Sequence, residues 1–209
     1  VAEQDGYDAA RLLLGDLHMK LAAQLGLDFY VDKNVLVPRP DTETLVIELV
    51  DEAQKLTNPF ILDLCTGSGC IAISAAANCH NAKFQATDIS EPALAIAQKN
   101  AASNELSNQI QFLLSDCFEQ IPPGTLFDII VSNPPYIPDE EIEQLEKDVR
   151  QHEPRLALSG GKDGLDFYRK IIQEAGRYLK DQGLLMLEFS PEQEADLLAL
   201  FKATGEYTN

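Results

Sequence analysis

The chain has 209 residues, 34 acidic against 16 basic side chains, a net charge of −18 and 45% hydrophobic residues. That length and apolar content can form a core for one sizeable domain, or for a domain with a small appendage. The charge argues against a phosphate-backbone partner, because nucleic-acid affinity comes largely from Lys and Arg neutralising phosphates.

No apolar run reaches the roughly 18 residues of a membrane span, and no signal peptide opens the chain. Cys65, Cys70, Cys79 and Cys117 match neither a zinc spacing nor a C-x-x-C redox pair. The expectation is a cytoplasmic protein with four free thiols, no metal and no membrane partner.

Residues 9–25 carry apolar side chains at helical spacing, and a weakly marked domain boundary falls near residues 25–35. "LDFYV" and "VLV" around Asp32-Lys33-Asn34 predict a β-hairpin. Pro40, Asp41 and Glu43 suit a helix start, followed by an apolar face at Leu45, Val46, Leu49 and Val50. Strands are then expected at "FILDL", "KFQATDI", "IQFLLSD" and "FDIIVSN", with helices at "CIAISAAANC" and "EPALAIAQKNAASN". Residues 139–148 read as a solvated helix face, "GLDFYRKIIQEAGRYLK" as a helix, Gly183 as the opening of a fifth strand, and "PEQEADLLALFKA" as the last helix. Alternating apolar strands and helices predict an α/β fold: a doubly wound, mostly parallel sheet covered on both faces.

In such a sheet ligands bind at the carboxyl ends of the strands. "ILDLCTGSGC" places Gly67 and Gly69 in the first strand-to-helix turn, where glycine permits backbone angles that a β-carbon forbids. Ala72 occupies the third position of G-x-G-x-x-G, so this is not the dinucleotide fingerprint. Asp63, Asp88 and Asp116 lie at or near the ends of three successive strands. An acid at Asp88 suits the two hydroxyls of a ribose, and one at Asp116 an exocyclic amine. Each feature alone has a bland reading, as a structural turn or a helix cap. Together they describe a nucleoside pocket without a phosphate site, which suits S-adenosylmethionine, a cationic sulfonium nucleoside.

The fourth strand ends on Asn133-Pro134-Pro135-Tyr136. Two prolines stiffen the turn and cannot donate to it. The side-chain carbonyl of Asn133 and the backbone carbonyl of Pro134 can hold both hydrogens of a planar amine, and Tyr136 offers a flat ring for packing. Such a clamp favours a nitrogen that becomes electron-rich and pyramidal in the transition state. A rigid strand-to-loop turn is the structural alternative.

"VLVPRPDTE", "ILDLCTGSGCIAI", "ATDIS", "SNPPYIP", "HEPRLALSGGKDGLDFYR" and "GLLMLE" follow one another in an order that resembles the HemK/PrmC family, the glutamine N5-methyltransferases of peptide chain release factors. The resemblance runs from about residue 26 to the end. It implies a Rossmann-like class I methyltransferase fold over residues 26–209, with the C-terminal strands of the usual sheet missing. Residues 1–25 would be the remnant of an N-terminal helical substrate-recognition domain. It further implies that Cys65, Thr66, Gly67, Ser68, Gly69, Asp88 and Ile89, with Asp63 and Asn133, bind S-adenosylmethionine and release S-adenosylhomocysteine, and that Asp116 and Cys117 flank the adenine. Asn133, Pro134, Pro135 and Tyr136 would bind the substrate glutamine, with Asn133, Pro134 and Tyr136 carrying the chemistry. A monomer acting on release factors, in a Gly-Gly-Gln loop, is expected.

Two positions depart from the family pattern. Cys117 stands where many relatives carry a larger side chain, and "LEFSPEQ" lacks a glycine after its Glu. Rival readings are a methyltransferase for a ribosomal-protein glutamine or for a nucleic-acid amine, and a nucleoside-binding adaptor without catalysis.

Overall fold

The computed structural model describes residues 27–207. The helix expected over residues 9–25, and with it the proposed helical domain of residues 1–25, lies outside them. Five strands, β1 (Phe60–Leu64), β2 (Lys83–Asp88), β3 (Ile110–Leu114), β4 (Phe127–Ser132) and β5 (Leu179–Leu187), form one sheet in the order β3-β2-β1-β4-β5. Every pairing is parallel. Helices α1 (Thr42–Gln54), α2 (Cys70–Asn78) and α3 (Glu91–Ser103) precede or link the first strands. Two short helices, α4 (Asp139–Ile142) and α5 (Lys147–His152), follow β4, then α6 (Asp166–Glu174), and α7 (Glu194–Thr204) follows β5.

Alternation along the strands feeds two separate cores. Ile61, Ile129 and Val131 pack with Val46, Leu49, Ile71 and Ala75 of α1 and α2. Leu62, Leu64 and Ile130 point the other way and pack with Phe118, Phe127 and Ile171. Period-two side-chain geometry forces this division, so a strand buried on both faces reads as a nearly continuous apolar run. Truncating one of these fully buried side chains to Ala should cost roughly 2–5 kcal/mol.

The chain leaves β1 in one direction to make β2 and β3, then returns to lay β4 on the other side of β1. That reversal is a topological switch point, where the sheet opens a crevice at its carboxyl end. The glycine turn, Asp88, Asp116 and Asn133 converge there.

Three sequence expectations are corrected. The predicted hairpin is absent: residues 27–31 and 36–39 are not strands, although the turn at residues 32–35 forms with Val35 N–H bonded to Asp32 O at 3.2 Å. The reason lies in α3. Asn100 and Asn104 take up the backbone of Tyr30 and Asp28, Asn100 accepting from Tyr30 N–H at 2.8 Å and donating to Tyr30 O at 2.9 Å. Side-chain amides thus mimic a neighbouring strand and the ladder is not needed.

The helix expected through Lys180 stops at Glu174, passes through a 3₁₀ turn over Ala175–Arg177, and gives way to β5 at Leu179, before Gly183. Register slips between Phe127 and Ile129 as β5 advances from Leu179 to Leu184, with Gln182 at φ 63°. A bulge therefore holds residues that read as helix end and turn. The single helix face expected over 139–148 is broken between Ile142 and Lys147, and Ile142 is buried, 3% exposed.

Candidate active site

The turn after β1 is held from beneath. Asp63 is fully buried and its Oδ2 accepts from Thr66 Oγ1 at 2.6 Å and from Ala72 N–H at 3.2 Å. Its Oδ1 has no hydrogen-bond partner, and burial pushes its carboxyl up to about 7. Asp63 was expected among the cofactor contacts. Instead it lies outside the cleft lining and pins the turn, because its carboxylate is fully buried and taken up by Thr66 and Ala72.

Cys65 and Gly67 adopt left-handed backbones, φ 58° and 55°, and Gly69 does so at φ 83°. At Gly69 a Cβ would come within 2.9 Å of Ile73 Cδ1 and 3.2 Å of Ala97 Cβ. Glycine here satisfies both the dihedral and the close packing of α2 on α3.

The cleft above this turn is lined by Cys65, Thr66, Gly67 and Ser68, by Asp88 and Ile89, by Asp116 and Cys117, and by Asn133 and Pro135. Gly67 N–H donates to Asp88 Oδ2 at 2.9 Å and Ser90 N–H donates to Asp88 Oδ1 at 2.9 Å. These bonds fix the carboxylate and leave further lone pairs for two hydroxyl donors. Burial nevertheless raises the Asp88 carboxyl above its ordinary value. Ile89 is half exposed at the rim.

Asp116 lines the cleft but is not a lone acceptor. Lys170 Nζ, from α6, lies 2.8 Å from its Oδ2 and 3.1 Å from Glu119 Oε1. Cys117 is buried with φ 49°, in a turn where Ser115 Oγ donates to Cys117 O at 2.8 Å. Contact with the Cys117 thiol, then burial, pushes the Cys65 thiol well up. The four cysteines are free.

On the β4 side the residues of the tetrapeptide separate. Asn133 and Pro135 face the cleft, whereas Pro134 and Tyr136 are not part of its lining. Tyr136 was expected to present its ring as a platform. Its ring packs instead on the cluster of Leu165, Tyr168, Ile172 and Leu197, and its carbonyl accepts from Gln193 Nε2 at 3.0 Å. The "SGGKDG" loop braces this segment, with Ile137 N–H bonded to Leu158 O and Gly160 N–H to Ile137 O, both 2.9 Å. A Cβ on Gly160 would stand 2.8 Å from Tyr136 Cα, so this approach requires glycine.

Asn133 Nδ2 donates to Glu188 Oε1 at 2.8 Å and to Thr42 Oγ1 at 3.2 Å. A carboxylate only accepts, so the atom facing Glu188 is the nitrogen. The carbonyl Oδ1 is left without a protein donor among the described residues. Sequence reasoning missed Glu188, Thr42 and Lys170, because each acts through a partner distant in sequence.

It also missed the ion pair that closes the cleft mouth. Arg39 Nη2 binds both oxygens of Glu153, at 2.6 and 2.8 Å, with the Glu153 side chain only 6% exposed. The pair ties the loop carrying Pro38 and Arg39 to the segment carrying Pro154, Leu156 and Ala157, and both line the cleft. "VPRPDTE" and "HEPRLAL" were visible as motifs, but nothing local announces that they touch.

The lining suits a cationic nucleoside. It contains Asp88 and Asp116, and its one basic side chain, Arg39, is already bound to Glu153.

Comparison with known proteins agrees with this geometry. The family described as methyltransferase small domain matches residues 40–160. The chain is 38% identical over 182 residues to a release factor glutamine methyltransferase of Clostridium acetobutylicum, covering 87% of this chain and 64% of that one. It is 42% identical over 180 residues to that of Geobacter sulfurreducens, covering 86% and 62%, and 47% identical over 169 residues to that of Flavobacterium psychrophilum, covering 79% and 59%. The chain therefore spans a little under two thirds of the length of these relatives. Among solved structures, a methyltransferase from Pyrococcus furiosus superposes with a TM-score of 0.63 at 22% identity, covering 95% of this chain and 85% of that one. The human Mettl16 catalytic domain, solved with an RNA hairpin, gives 0.66 at 19% identity, covering 88% and 69%. These two share the fold, a doubly wound parallel sheet covered by helices on both faces. The resemblance read from the motifs is thus borne out, and the chain belongs to the methyltransferase small domain family.

Proposed function

We propose that this chain is the catalytic part of an S-adenosylmethionine-dependent protein methyltransferase acting on the side-chain amide nitrogen of a glutamine in peptide chain release factors. The curated relatives, named for that activity, support the substrate class. The single observation that carries the chemistry is the orientation of Asn133, whose nitrogen is held by Glu188 and Thr42 while its carbonyl stays free at the cleft.

S-adenosylmethionine supplies an electrophilic methyl on a sulfonium. Asp88 would accept from the ribose hydroxyls, Gly67 and Cys65 would let the backbone approach, and Asp116 with Ile89 and Cys117 would border the adenine. Asn133 Oδ1 would accept one hydrogen of the substrate amide. An amide nitrogen is a poor nucleophile because its lone pair is conjugated. An acceptor on its hydrogen gains strength as positive charge develops there, which is differential stabilisation of the transition state. Positioning the nitrogen in line with the methyl contributes the rest. The pathway needs no strong base, since the N-methylated amide can lose its extra proton to water.

Pro134 and Pro135 stiffen the strand end so that Asn133 is presented in one conformation. The net charge of −18 makes a protein loop a better partner than a nucleic acid, and no helix among the described residues is long and apolar enough to cross a membrane. The reading is tested by incubating the chain with methyl-labelled S-adenosylmethionine and purified release factor, ribosomal protein and RNA in parallel. Label on release factor, abolished when its loop glutamine is replaced, is expected. Label on RNA or on the glutamine-less factor would overturn the reading.

A further inference from the structure

Glu188 closes β5 one residue after its last paired position and sits behind Asn133, away from the cleft lining. Its backbone is anchored twice: its N–H bonds to Ser132 O at 3.0 Å, and its carbonyl accepts from Tyr168 Oη at 2.8 Å. Its Oε1 receives Asn133 Nδ2, while its Oε2 is buried without any partner. A half-satisfied buried carboxylate is an expensive way to fill space, since a neutral side chain would remove the desolvation cost. The Thr42 hydroxyl accepts the second hydrogen of Asn133 Nδ2 at 3.2 Å, so both amide hydrogens are taken up by protein acceptors.

We propose that Glu188, with Thr42, is a positioning residue that locks the Asn133 carboxamide with its oxygen toward the substrate and polarises it. An ionised Glu188 can only accept, so it selects the nitrogen-inward orientation. Its negative charge against Nδ2 draws the amide toward the form with more charge on Oδ1, the atom that meets the developing positive charge. A protonated Glu188 has a donor to offer and no longer distinguishes the two ends of the amide. The proposal rests on the reading of Asn133 as the substrate clamp.

The titratable groups coupled electrostatically to Glu188 come from four other elements: Asp41 precedes α1, Cys70 opens α2, Tyr136 follows β4, and Tyr168 lies on α6. Burial first, and then Asp41, raise the Glu188 carboxyl above its ordinary value, against the opposing bonds from Thr42 and Asn133. Loss of the locked orientation should therefore begin at a higher pH than for a free glutamate.

The test has two arms. In the first, the side-chain amide of Asn133 is followed by ¹⁵N–¹H NMR across pH in the chain alone, assigned with Asn133→Ala. The expected result is a titration with a midpoint above 4.5, the ordinary glutamate value, absent in Glu188→Gln. A pH-independent Asn133 amide, or the same midpoint in Glu188→Gln, overturns the proposal whatever the substrate proves to be. In the second arm, single-turnover transfer to release factor is expected to fall roughly 10- to 100-fold in Glu188→Gln, with cofactor affinity within about 3-fold of the parent. The parent rate should fall as pH drops through the NMR midpoint, and Glu188→Gln should lack that limb. Should Glu188→Gln unfold, Thr42→Val is expected to lose rate that Thr42→Ser largely keeps. Equal rates for these two, with no acid limb in the parent, overturn the proposal. Failure of the glutamine reading is distinguishable, because the parent would then methylate no release factor while the NMR arm still decides the role of Glu188.

Discussion

The two sides of the cleft, one built on the ends of β1, β2 and β3 and the other on the ends of β4 and β5, are assembled across different sequence distances. On the first side Asp63 holds Thr66 three residues on, and Gly67 reaches Asp88 across 21 residues. On the second side Asn133 reaches Glu188 across 55 residues and Thr42 across 91, and Arg39 meets Glu153 across 114. The first side, which the proposed reading gives to the nucleoside, is a local device of glycine turns and strand-end acids. The second, which that reading gives to the substrate, is a side-chain device whose members are brought together only by the fold. Damage to each should therefore appear in a different measurement.

The largest separation is expected for Asn133→Ala. Single-turnover transfer should fall roughly 10²–10³-fold, by analogy with removing one preorganised partner of the transition state. Calorimetry on the same sample should show nearly unchanged cofactor affinity. An equal loss in both would show that the two sides are not separable. Asp88→Ala is the converse and should weaken cofactor binding by roughly 1.5–3 kcal/mol, the range for hydrogen bonds to a charged group. Unchanged affinity there would remove Asp88 from the ribose site.

Breaking the pair at the mouth sharpens the comparison, because its two halves are unequally buried. Glu153 is 6% exposed and Arg39 32%. Removing Arg39 strands a buried carboxylate, whereas removing the charge of Glu153 leaves a guanidinium that can reach water. Arg39→Met should therefore destabilise the fold more than Glu153→Gln, by about 1–2 kcal/mol against less than about 1. Denaturant melts giving the reverse order would contradict the assignment of this pair.

The remaining prediction concerns Asp63 and is read as a pH slope rather than as a single difference between variants. Its carboxyl is raised from 3.8 to about 7 in the fold, so the folded chain holds a proton that the unfolded chain has lost. The associated stability is fully present below 3.8 and is lost as pH rises through about 7. Between those values the slope is at most about 1.4 kcal/mol per pH unit. Denaturant melts at several pH values should show stability falling with rising pH in that window, with a flatter profile in Asp63→Asn. An identical slope in the variant would place the titration elsewhere.

The same contrast explains what the sequence alone revealed. The strands, the glycine turn and the acid at Asp88 were legible because their signals are local: apolar runs, a G-x-G turn and a strand-end carboxylate. Asn133 was legible as part of an unusual tetrapeptide, but the partners that orient it were not, since "LEFSPEQ" looks like the end of a strand and Thr42 like a helix start. The hairpin reading failed because alternation and a turn signal cannot show that Asn100 and Asn104 would satisfy the same backbone groups. The seat of Tyr136 was hidden for a related reason: a ring beside a clamp suggests a platform, and nothing local announces the apolar cluster around Tyr168 on which it packs. Lys170 escaped notice because its role depends on α6 passing beside Asp116.

The most direct measurement is the position of the methyl group after one turnover with release factor, read by tandem mass spectrometry of the digested product. The clamp on Asn133 predicts a single methyl on the side-chain nitrogen of the loop glutamine, absent from the Asn133→Ala reaction. A methyl on another side chain, or on the same glutamine at parental yield in Asn133→Ala, would contradict it.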